Sequence, residues 1–420
     1  MSTLIEDRRK LHQRPEPGFC ELETAAYIYE RLLSLLDTDA GDSIVTGDDV
    51  IDTAAIPGLT QAQLDAAAVR ALDHGVAPEL VDMFSNGRTG MVAEIKGNRP
   101  GAVMGLRTDI DGLGVSESDS DDHVPTKLGF ASTIKDVMHA CGHDGHVSVA
   151  LELVKRLTEN RDFPGAFRII FQPAEEGVRG AMVTKPTATD GVDIMLGMHL
   201  GLGLAAGEVG AGTHGQLATE KTQVVFTGLQ AHAAMSPEQG RNALLAACST
   251  ALTLHGLPQR GDANTRLNVG VLNAGSGLNI IPNRAEMNVE YRADKREVLA
   301  DLKGRFTNVV EGAAKAYGVE SSITPLGRAT TLVCDQAVVD AAMRALEGID
   351  GVEESHETIL FAASDDVSIF IERVQDNGGQ GTFLIVGCSS PGPHHSALFD
   401  IDERALPIAA DWIEAIARSA

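Results

Sequence analysis

The sequence predicts a mixed α/β protein, in which a mostly parallel sheet with helices on both faces is interrupted by a ferredoxin-like α+β domain. The 420 residues exceed what a single hydrophobic core usually holds, so at least two domains are expected. Short apolar strands alternate with amphipathic helices in the first and last parts of the chain, and the strands end at polar clusters. Between these parts, six segments follow the split-βαβ order of strand, helix, strand, strand, helix and strand.

The first part of the α/β domain is predicted to cover residues 1–216, with a helical surface insert at about 41–88. Apolar residues recur at helical spacing over 4–36, which predicts helical structure there. The remaining predicted elements of this part are helices at Gln61–His74, Pro78–Phe84 and His146–Leu157, and strands at Met91–Ile95, Ala102–Leu106, Phe167–Phe171 and Asp193–Met198.

The inserted α+β domain is predicted to cover residues 217–330, and the α/β domain resumes over 331–420. The insert is expected to contain strands at Gln223–Thr227, Arg266–Leu272, Arg284–Arg292 and Ser321–Pro325, and helices at Asn242–Leu257 and Glu297–Tyr317. The last part is expected to contain a helix at Val338–Leu346, a strand at Gly381–Gly387 and a helix at Pro407–Arg418.

The amino-acid composition argues against some classes of binding partner and indicates the cellular compartment. The formal net charge of -25 argues against nucleic acid and anionic membranes, because phosphate binding needs clustered Lys and Arg. No apolar run approaches the roughly 20 residues of a membrane span, and the charged N-terminus does not resemble a secretory peptide, so a cytoplasmic protein is expected. The five widely spaced cysteines do not form the pattern of a disulfide framework.

A metal site is predicted at the segment from Met138 to His146, which reads Met-His-Ala-Cys-Gly-His-Asp-Gly-His. Imidazole and thiolate are ligands suited to zinc, manganese, iron or cobalt. Cys141 and His143 are two residues apart, so both side chains can point to one side of an extended loop. An ordinary helix start would carry scattered polar residues instead of this concentration of Cys and His.

Other candidates follow predicted strands, where α/β proteins form their sites. Glu175 and Glu176 suit one metal ligand and one general base, although an acidic loop would look the same. His199 follows a strand directly, a position that is more often structural. A histidine pair lies within Pro393–Asp400 after the last strand. Asp109 and Asp111 lie in the segment Arg107–Asp111. They would either orient ligand histidines or belong to an ordinary turn.

Together these segments resemble the dinuclear metallopeptidase–amidohydrolase family of carboxypeptidase G, hippurate hydrolase, indole-acetyl-amino-acid hydrolases and aminobenzoyl-glutamate hydrolase. The resemblance spans nearly the whole chain, and the acidic, helical insert before Phe84 looks most like that of the A subunit of the last of these enzymes. The matching motifs are LRTDIDGL, MHACGHDGH, FQPAEEG, GMHLG, GLQAHAAMSPEQGRNALLAA, GSGLNIIPNRAEMNVEYRA and HHSALFDIDE.

The resemblance implies a role for each matched residue. Cys141 would bridge two metal ions. His143 and His199 would complete the ligands of one ion, and Glu176 and His395 those of the other, with His395 preferred over His394 by its spacing from Phe399. The other implied roles are Glu175 as general base, His232 as an oxyanion donor to a partner subunit, and Asn279 and Arg292 as substrate contacts.

The implied function is hydrolysis of a C–N bond in a small aromatic substrate by a metal-activated water, in a homodimer or larger homo-oligomer. The resemblance implies two divalent ions per subunit, with manganese expected and zinc, cobalt or nickel as alternatives. Two other functions stay open: hydrolytic deamination of an aromatic amine such as 5-nitroanthranilate, and a silent metal-binding protein. The candidate base Glu175 argues against the last, because a structural metal site needs no free base.

One departure inside a matched motif bears on the substrate. Where the lid of aminobenzoyl-glutamate hydrolase reads Gly-Ser-Gly-Arg-Asn, this chain reads Gly-Ser-Gly-Leu-Asn, with the leucine at position 278. Leucine cannot donate to a carboxylate, whereas arginine offers a bidentate fork. We therefore expect an aromatic substrate whose tail is not a glutamate held in the same way.

Overall fold

A computed structural model describes residues 3–257 and 260–419 and divides the chain into two compact units. The unit that we call the α/β unit holds the described residues of Met1–His214, Leu332–Phe361 and Asp365–Ala420. The unit that we call the α+β unit holds those of Gly215–Thr331 and Ala362–Ser364.

The strands and helices are numbered along the described chain. The strands are β1 (Ser43–Thr46), β2 (Met91–Lys96), β3 (Arg99–Asp109), β4 (Pro164–Gln172), β5 (Ile194–Leu200), β6 (Glu208–Gly210), β7 (Thr213–His214), β8 (Ala218–Thr227), β9 (Thr265–Ala274), β10 (Arg284–Ala293), β11 (Glu320–Ala329), β12 (Glu354–His356), β13 (Ile359–Leu360) and β14 (Gln380–Val386). The helices are α1 (Thr3–His12), α2 (Leu22–Leu35), α3 (Gln61–Asp73), α4 (Pro78–Phe84), α5 (Val124–Leu128), α6 (His143–Glu159), α7 (Gly180–Val183), α8 (Ala243–His255), α9 (Arg296–Tyr317), α10 (Gln336–Arg344), α11 (Val367–Asp376) and α12 (Ala405–Ser419).

The sheet of the α/β unit has the strand order β1-β2-β4-β3-β5-β14-β6-β12. Its four central strands, β4, β3, β5 and β14, are parallel to one another. Strands β1 and β2 form an antiparallel edge, and β6 pairs with β14 in the antiparallel direction. The predicted mixed α/β fold with a largely parallel sheet is confirmed, and the carboxyl ends of the four central strands meet at one edge.

Both faces of this sheet are covered, as the alternation of side chains along β4 shows. Phe167, Ile169 and Phe171 enter a core with α1, α2, α6 and α12. Ile170, which points to the opposite face, enters a second core with α11. Since a strand directs successive side chains to opposite faces, a continuous apolar run at β4 is explained by burial on both sides.

Several elements differ from the expectation. The helical stretch predicted over 4–36 is two helices, because Pro15, Pro17 and Gly18 fall between α1 and α2 and proline disfavours a continuous helix. Strand β1 pairs with β2 at the sheet edge, within the segment for which the sequence predicts only a helical insert. Helix α11 and the short strands β6, β7, β12 and β13 are absent from the sequence prediction.

The α+β unit contains a separate antiparallel sheet in the order β11-β8-β10-β9. Helices α8 and α9 pack on one face, and their core includes Phe226, Tyr291 and Phe306. This matches the strand and helix order that the sequence predicts for a ferredoxin-like domain. Among the helices described in both units, none combines the length and hydropathy that crossing a membrane requires.

Candidate active site

Polar side chains collect at the carboxyl ends of the central parallel strands. Asp109 ends β3, Gln172 ends β4, and His199 is the penultimate residue of β5. The loop carrying Cys141 leads into α6, whose first residue is His143. Because these strands are parallel and adjacent, side chains from distant parts of the sequence meet at one edge of the sheet.

Cys141, His143 and His199 form a first group of donors. One potential ligand atom from each of the three lies within 4.8 Å of the other two. The Sγ atom of Cys141 is 3.6 Å from Nε2 of His199. All three side chains are buried. The structure therefore brings together the three residues that the family resemblance assigns to one metal ion.

Hydrogen bonds fix which nitrogen of each histidine is available. Nδ1 of His143 lies 2.9 Å from the carbonyl oxygen of Asp111, and Nδ1 of His199 lies 2.8 Å from that of Leu200. A carbonyl only accepts, so Nδ1 carries the proton in both rings, and in the neutral rings Nε2 keeps its lone pair. Such second contacts are the usual means of orienting ligand histidines.

Cys141, Glu176 and His395 form a second group of donors, again within 4.8 Å of one another. Nε2 of His395 lies 3.4 Å from Oε1 of Glu176. Cys141 belongs to both groups, so its sulfur lies within 4.8 Å of a potential ligand atom of each of the other four residues. The three residues that the family resemblance assigns to the second ion are therefore also close together.

The loop after β4 is held by carboxylates through its backbone. The two oxygens of Asp111 accept hydrogen bonds from the amide nitrogens of Glu175, at 3.1 Å, and Glu176, at 3.0 Å. Glu21, which is fully buried, accepts another from the amide of Ala174 at 2.9 Å. Ala174 has a positive φ of 52°, which is uncommon outside glycine, and these bonds stabilise the turn.

Glu175 and Glu176 therefore have different surroundings. Both glutamates form a group with His143 within 4.8 Å, but only Glu176 shares a donor group with Cys141, and only Glu175 shares one with Asp365 and Asp366. Burial, followed by the negative charges of Asp365 and Glu176, raises the pKa of Glu175 well above its ordinary value. A buried carboxyl with a raised pKa is suited to accept and return a proton near neutral pH.

A buried ion cluster lies below Glu175, and the sequence analysis missed it. Arg107 donates to Asp109 at 2.7 Å and to Asp366 at 2.9 Å, and its Nη2 lies 3.0 Å from Asp365. Gln172 donates to Asp366 at 2.8 Å and accepts from Arg107 at 2.7 Å. Asp365 and Asp366 are thus paired with Arg107, whose positive charge takes the place of a further cation beside them.

Two predicted neighbours of the ligands differ in their contacts. Asp111 contacts His143 through its carbonyl oxygen, as described above. Asp109 instead accepts a short hydrogen bond of 2.6 Å from Nδ1 of His146, whose Nε2 accepts from the amide of Leu200 at 3.0 Å. Both nitrogens of His146 are thereby used, so this histidine of the predicted cluster is not available as a ligand.

The remaining predicted residues lie in the α+β unit. His232 is exposed, and its Nδ1 accepts from the amides of Ala234 at 3.2 Å and Met235 at 3.1 Å, so the proton lies on Nε2. The carbonyl of Asn279 accepts from the neighbouring Ala233 at 3.0 Å, which places Asn279 beside His232.

Arg292 lies apart from these two residues. It is near the far end of β10 from the loop that carries Asn279, and that strand is about 3 nm long. Its Nη2 pairs with Glu290 at 2.8 Å. The structure therefore does not bring Arg292 together with His232 and Asn279 within the α+β unit.

The residues present fit a pair of divalent transition-metal ions. Nε2 of His143 and Oε1 of Glu176 are buried and make no hydrogen bond in the described part of the chain; their charged neighbours are Asp109, at 3.6 Å, and His395, at 3.4 Å. Leaving such atoms unpaired costs roughly 1–3 kcal/mol each, which a bound cation offsets. Burial raises the pKa of the Cys141 thiol to about 12, so a thiolate at neutral pH requires an adjacent cation.

A largely parallel α/β sheet whose strand ends carry cysteine, histidine and glutamate donors beside a buried carboxylate is the architecture of a metal-dependent hydrolase. The description "peptidase family M20/M25/M40" matches residues 105–419, and the chain belongs to this family. It is accordingly a hydrolase acting on amide C–N bonds.

Two curated relatives cover almost the whole chain. Indole-3-acetyl-aspartic acid hydrolase of Enterobacter agglomerans is 35% identical over 410 residues, which is 97% of this chain and 93% of that protein. One of the subunits of p-aminobenzoyl-glutamate hydrolase from Escherichia coli (strain K12) is 36% identical over 417 residues, which is 98% of this chain and 94% of that protein.

Solved structures agree with this membership. An aminobenzoyl-glutamate utilization protein from Klebsiella pneumoniae superposes with a TM-score of 0.83 at 30% identity, covering 99% of this chain and 95% of that chain. A dinuclear metal-binding peptidase of the M20 family from Bacillus subtilis gives a TM-score of 0.67 at 25% identity, covering 99% and 97%. The family thus includes a structure with the metal count that the donor groups suggest.

Proposed function

We propose that this chain hydrolyses the amide bond between an aromatic acyl group and an amino acid. In this proposal Cys141, His143 and His199 bind one divalent ion, and Cys141, Glu176 and His395 bind a second. Manganese is the expected metal, and zinc, cobalt or nickel would suit the same donors. The observation that carries the proposal is that only Glu176 of the two glutamates shares a donor group with Cys141, while only Glu175 shares one with Asp365 and Asp366.

The metal ions and the protein side chains would have separate roles in hydrolysis. When bound, the two ions would supply Lewis acidity and lower the pKa of a coordinated water towards neutrality. Glu175 takes a proton from the attacking water and returns it to the departing nitrogen. Asp111 and Glu21 hold the backbone on either side of this base, so its carboxyl needs little reorganisation during the reaction.

A second subunit completes the site in this proposal. His232 carries its proton on the exposed Nε2, which is the form that can donate to a developing oxyanion. Asn279 lies beside it and would contact the substrate. We infer a homodimer or larger homo-oligomer in which His232 serves the neighbouring subunit, and we keep Arg292 as a separate substrate contact.

The names of two relatives support an aromatic acyl amino acid as the substrate class, since one describes indole-3-acetyl-aspartic acid and the other p-aminobenzoyl-glutamate. The test is a panel of these two compounds and 5-nitroanthranilate with the manganese-loaded protein, assaying free amino acid and ammonia in parallel. Glu175→Gln is the matched control for contaminating activity. We expect free amino acid from the conjugates; ammonia from the nitroanthranilate, without amide cleavage, would show that the enzyme is a deaminase.

A further inference from the structure

His394 contacts the same sulfur as the proposed metal ligands, although the sequence favours its neighbour His395 as the ligand. Nδ1 of His394 lies 3.6 Å from Sγ of Cys141. Nε2 of His394 lies 3.2 Å from the backbone nitrogen of Leu202. Both nitrogens of the ring therefore have partners, and the two partners differ in chemistry.

The contact with Leu202 settles which nitrogen carries the proton. A backbone amide only donates, so Nε2 of His394 must be the acceptor and must lack a hydrogen. In the neutral ring the proton then lies on Nδ1, the atom that faces Cys141. A protonated nitrogen has no lone pair for a metal ion but can donate a hydrogen bond to sulfur.

The surrounding chain leaves space for this ring. Gly201 has a φ of +84°, and a Cβ atom at that position would lie 2.8 Å from Nε2 of His394. On its other side, the ring packs against Phe399 with centroids 4.6 Å apart. The side chain of His394 is thus confined between a glycine and an aromatic ring, with Nδ1 directed at the sulfur.

We propose that His394 is a positioning residue that donates a hydrogen bond from Nδ1 to the bridging thiolate of Cys141, and is not itself a metal ligand. This rests on the proposed function, because it requires Cys141 to bind metal. A donor to a metal-bound thiolate stabilises its negative charge and withdraws electron density from the sulfur. It also limits the orientations that the cysteine side chain can take.

Two substitutions separate the two contacts of the ring. His394→Asn places an amide group near the position of Nδ1 and can still donate to the sulfur. His394→Gln places its amide near the position of Nε2, where its oxygen can accept from Leu202 while the sulfur loses its donor. The measurements are cobalt content at saturation, cobalt affinity, and the thiolate-to-cobalt charge-transfer band of the full-length protein, with His395→Asn as the ligand control.

We expect two cobalt ions per subunit in the wild type and in both variants at position 394. The Gln variant should bind cobalt about 10- to 100-fold more weakly, with its charge-transfer band at longer wavelength, whereas the Asn variant should resemble the wild type. His395→Asn should lose one ion. Loss of an ion in both His394 variants, or an unchanged band and affinity in the Gln variant, would overturn the inference.

The same data separate this inference from the proposed function. If the wild type itself lacked a thiolate-to-cobalt band, Cys141 would not be a ligand, and the assignment of the metal site would fail with it. If the wild type shows the band and only the variants deviate from expectation, the metal site stands and the role of His394 alone is wrong.

Discussion

Nε2 of His395 lies 3.4 Å from Oε1 of Glu176, and the two groups share one donor cluster with Cys141. Cys141 also belongs to the cluster of His143 and His199, so its sulfur is common to both clusters. Substitution of Cys141 should therefore affect both groups of donors, whereas substitution of His395 should affect only one.

Cys141→Ser is expected to lose most of both metal ions, because a serine hydroxyl does not ionise at neutral pH and cannot serve as a bridging anion. His395→Ala is expected to lose one ion and retain the other. Elemental analysis after gel filtration measures both, with His232→Ala as a control that should keep two ions. Retention of two ions by Cys141→Ser would refute the bridging assignment.

The pH dependence of stability should report on a buried histidine next to the site. Nδ1 of His12 lies 2.8 Å from Asp144 and its Nε2 lies 3.0 Å from Glu117. Burial alone would lower the pKa of His12, but the charge of Asp144 and hydrogen bonds to Asp144 and Glu117 outweigh it and raise that pKa from 6.5 to about 9.

Because the folded-state pKa of His12 lies above its ordinary value, its stabilisation is complete below about pH 6.5 and is lost as pH rises through about 9. The contribution is roughly 3 kcal/mol. Urea unfolding of the wild type and His12→Gln should give free energies that differ most at pH 6 and converge above pH 9. A constant difference across this range would show that His12 stays neutral in the folded protein.

Subunit complementation tests the shared site. His232 has its proton on the exposed Nε2, and we predict that it acts on the neighbouring subunit. Mixed dimers of Glu175→Gln and His232→Ala should regain up to about a quarter to a half of the activity, because some sites then contain both native residues. Subunit exchange is verified with differently tagged chains. No recovery in proven heterodimers would place His232 in its own subunit's site or outside catalysis.

Leu278 tests the expectation about the glutamate tail. Its side chain is fully exposed, at 108% of the reference area, so an arginine can be accommodated there. Leu278→Arg should raise kcat/KM for p-aminobenzoyl-glutamate by about 30-fold, which corresponds to about 2 kcal/mol from a bidentate contact. Leu278→Lys is the matched control for charge alone. A wild type that already prefers this substrate, with no gain in the variant, would contradict the expectation.

The fold is largely predictable because its signals are local. The alternation along β10 and the apolar run at β4 define their strands within a few residues. Strand β1 and helix α11 escape prediction for different reasons. The four residues of β1 alternate between exposed and partly buried and none is fully buried, so the strand is short and its apolar signal is weak. The two acids before α11 resemble an ordinary solvated helix start.

The candidate site is only partly predictable because it depends on strand order. Cys141 and His143 are close in sequence, so their cluster is visible in the sequence. Asp366 meets Arg107 only because β14, β5 and β3 are neighbours in the sheet, and no local pattern encodes that order. The contact of Glu21 with Ala174 likewise joins distant segments.

The roles of the two glutamates are tested most directly by comparing Glu175→Gln with Glu176→Gln in metal content and turnover, measured on the same protein samples. We predict that Glu175→Gln keeps two ions per subunit while turnover falls about 100- to 10,000-fold, since a base is removed and no ligand is lost. Glu176→Gln should lose metal and activity together. If Glu175→Gln lost metal in proportion to its activity, Glu175 would be a ligand, and the proposed division between the two glutamates would be wrong.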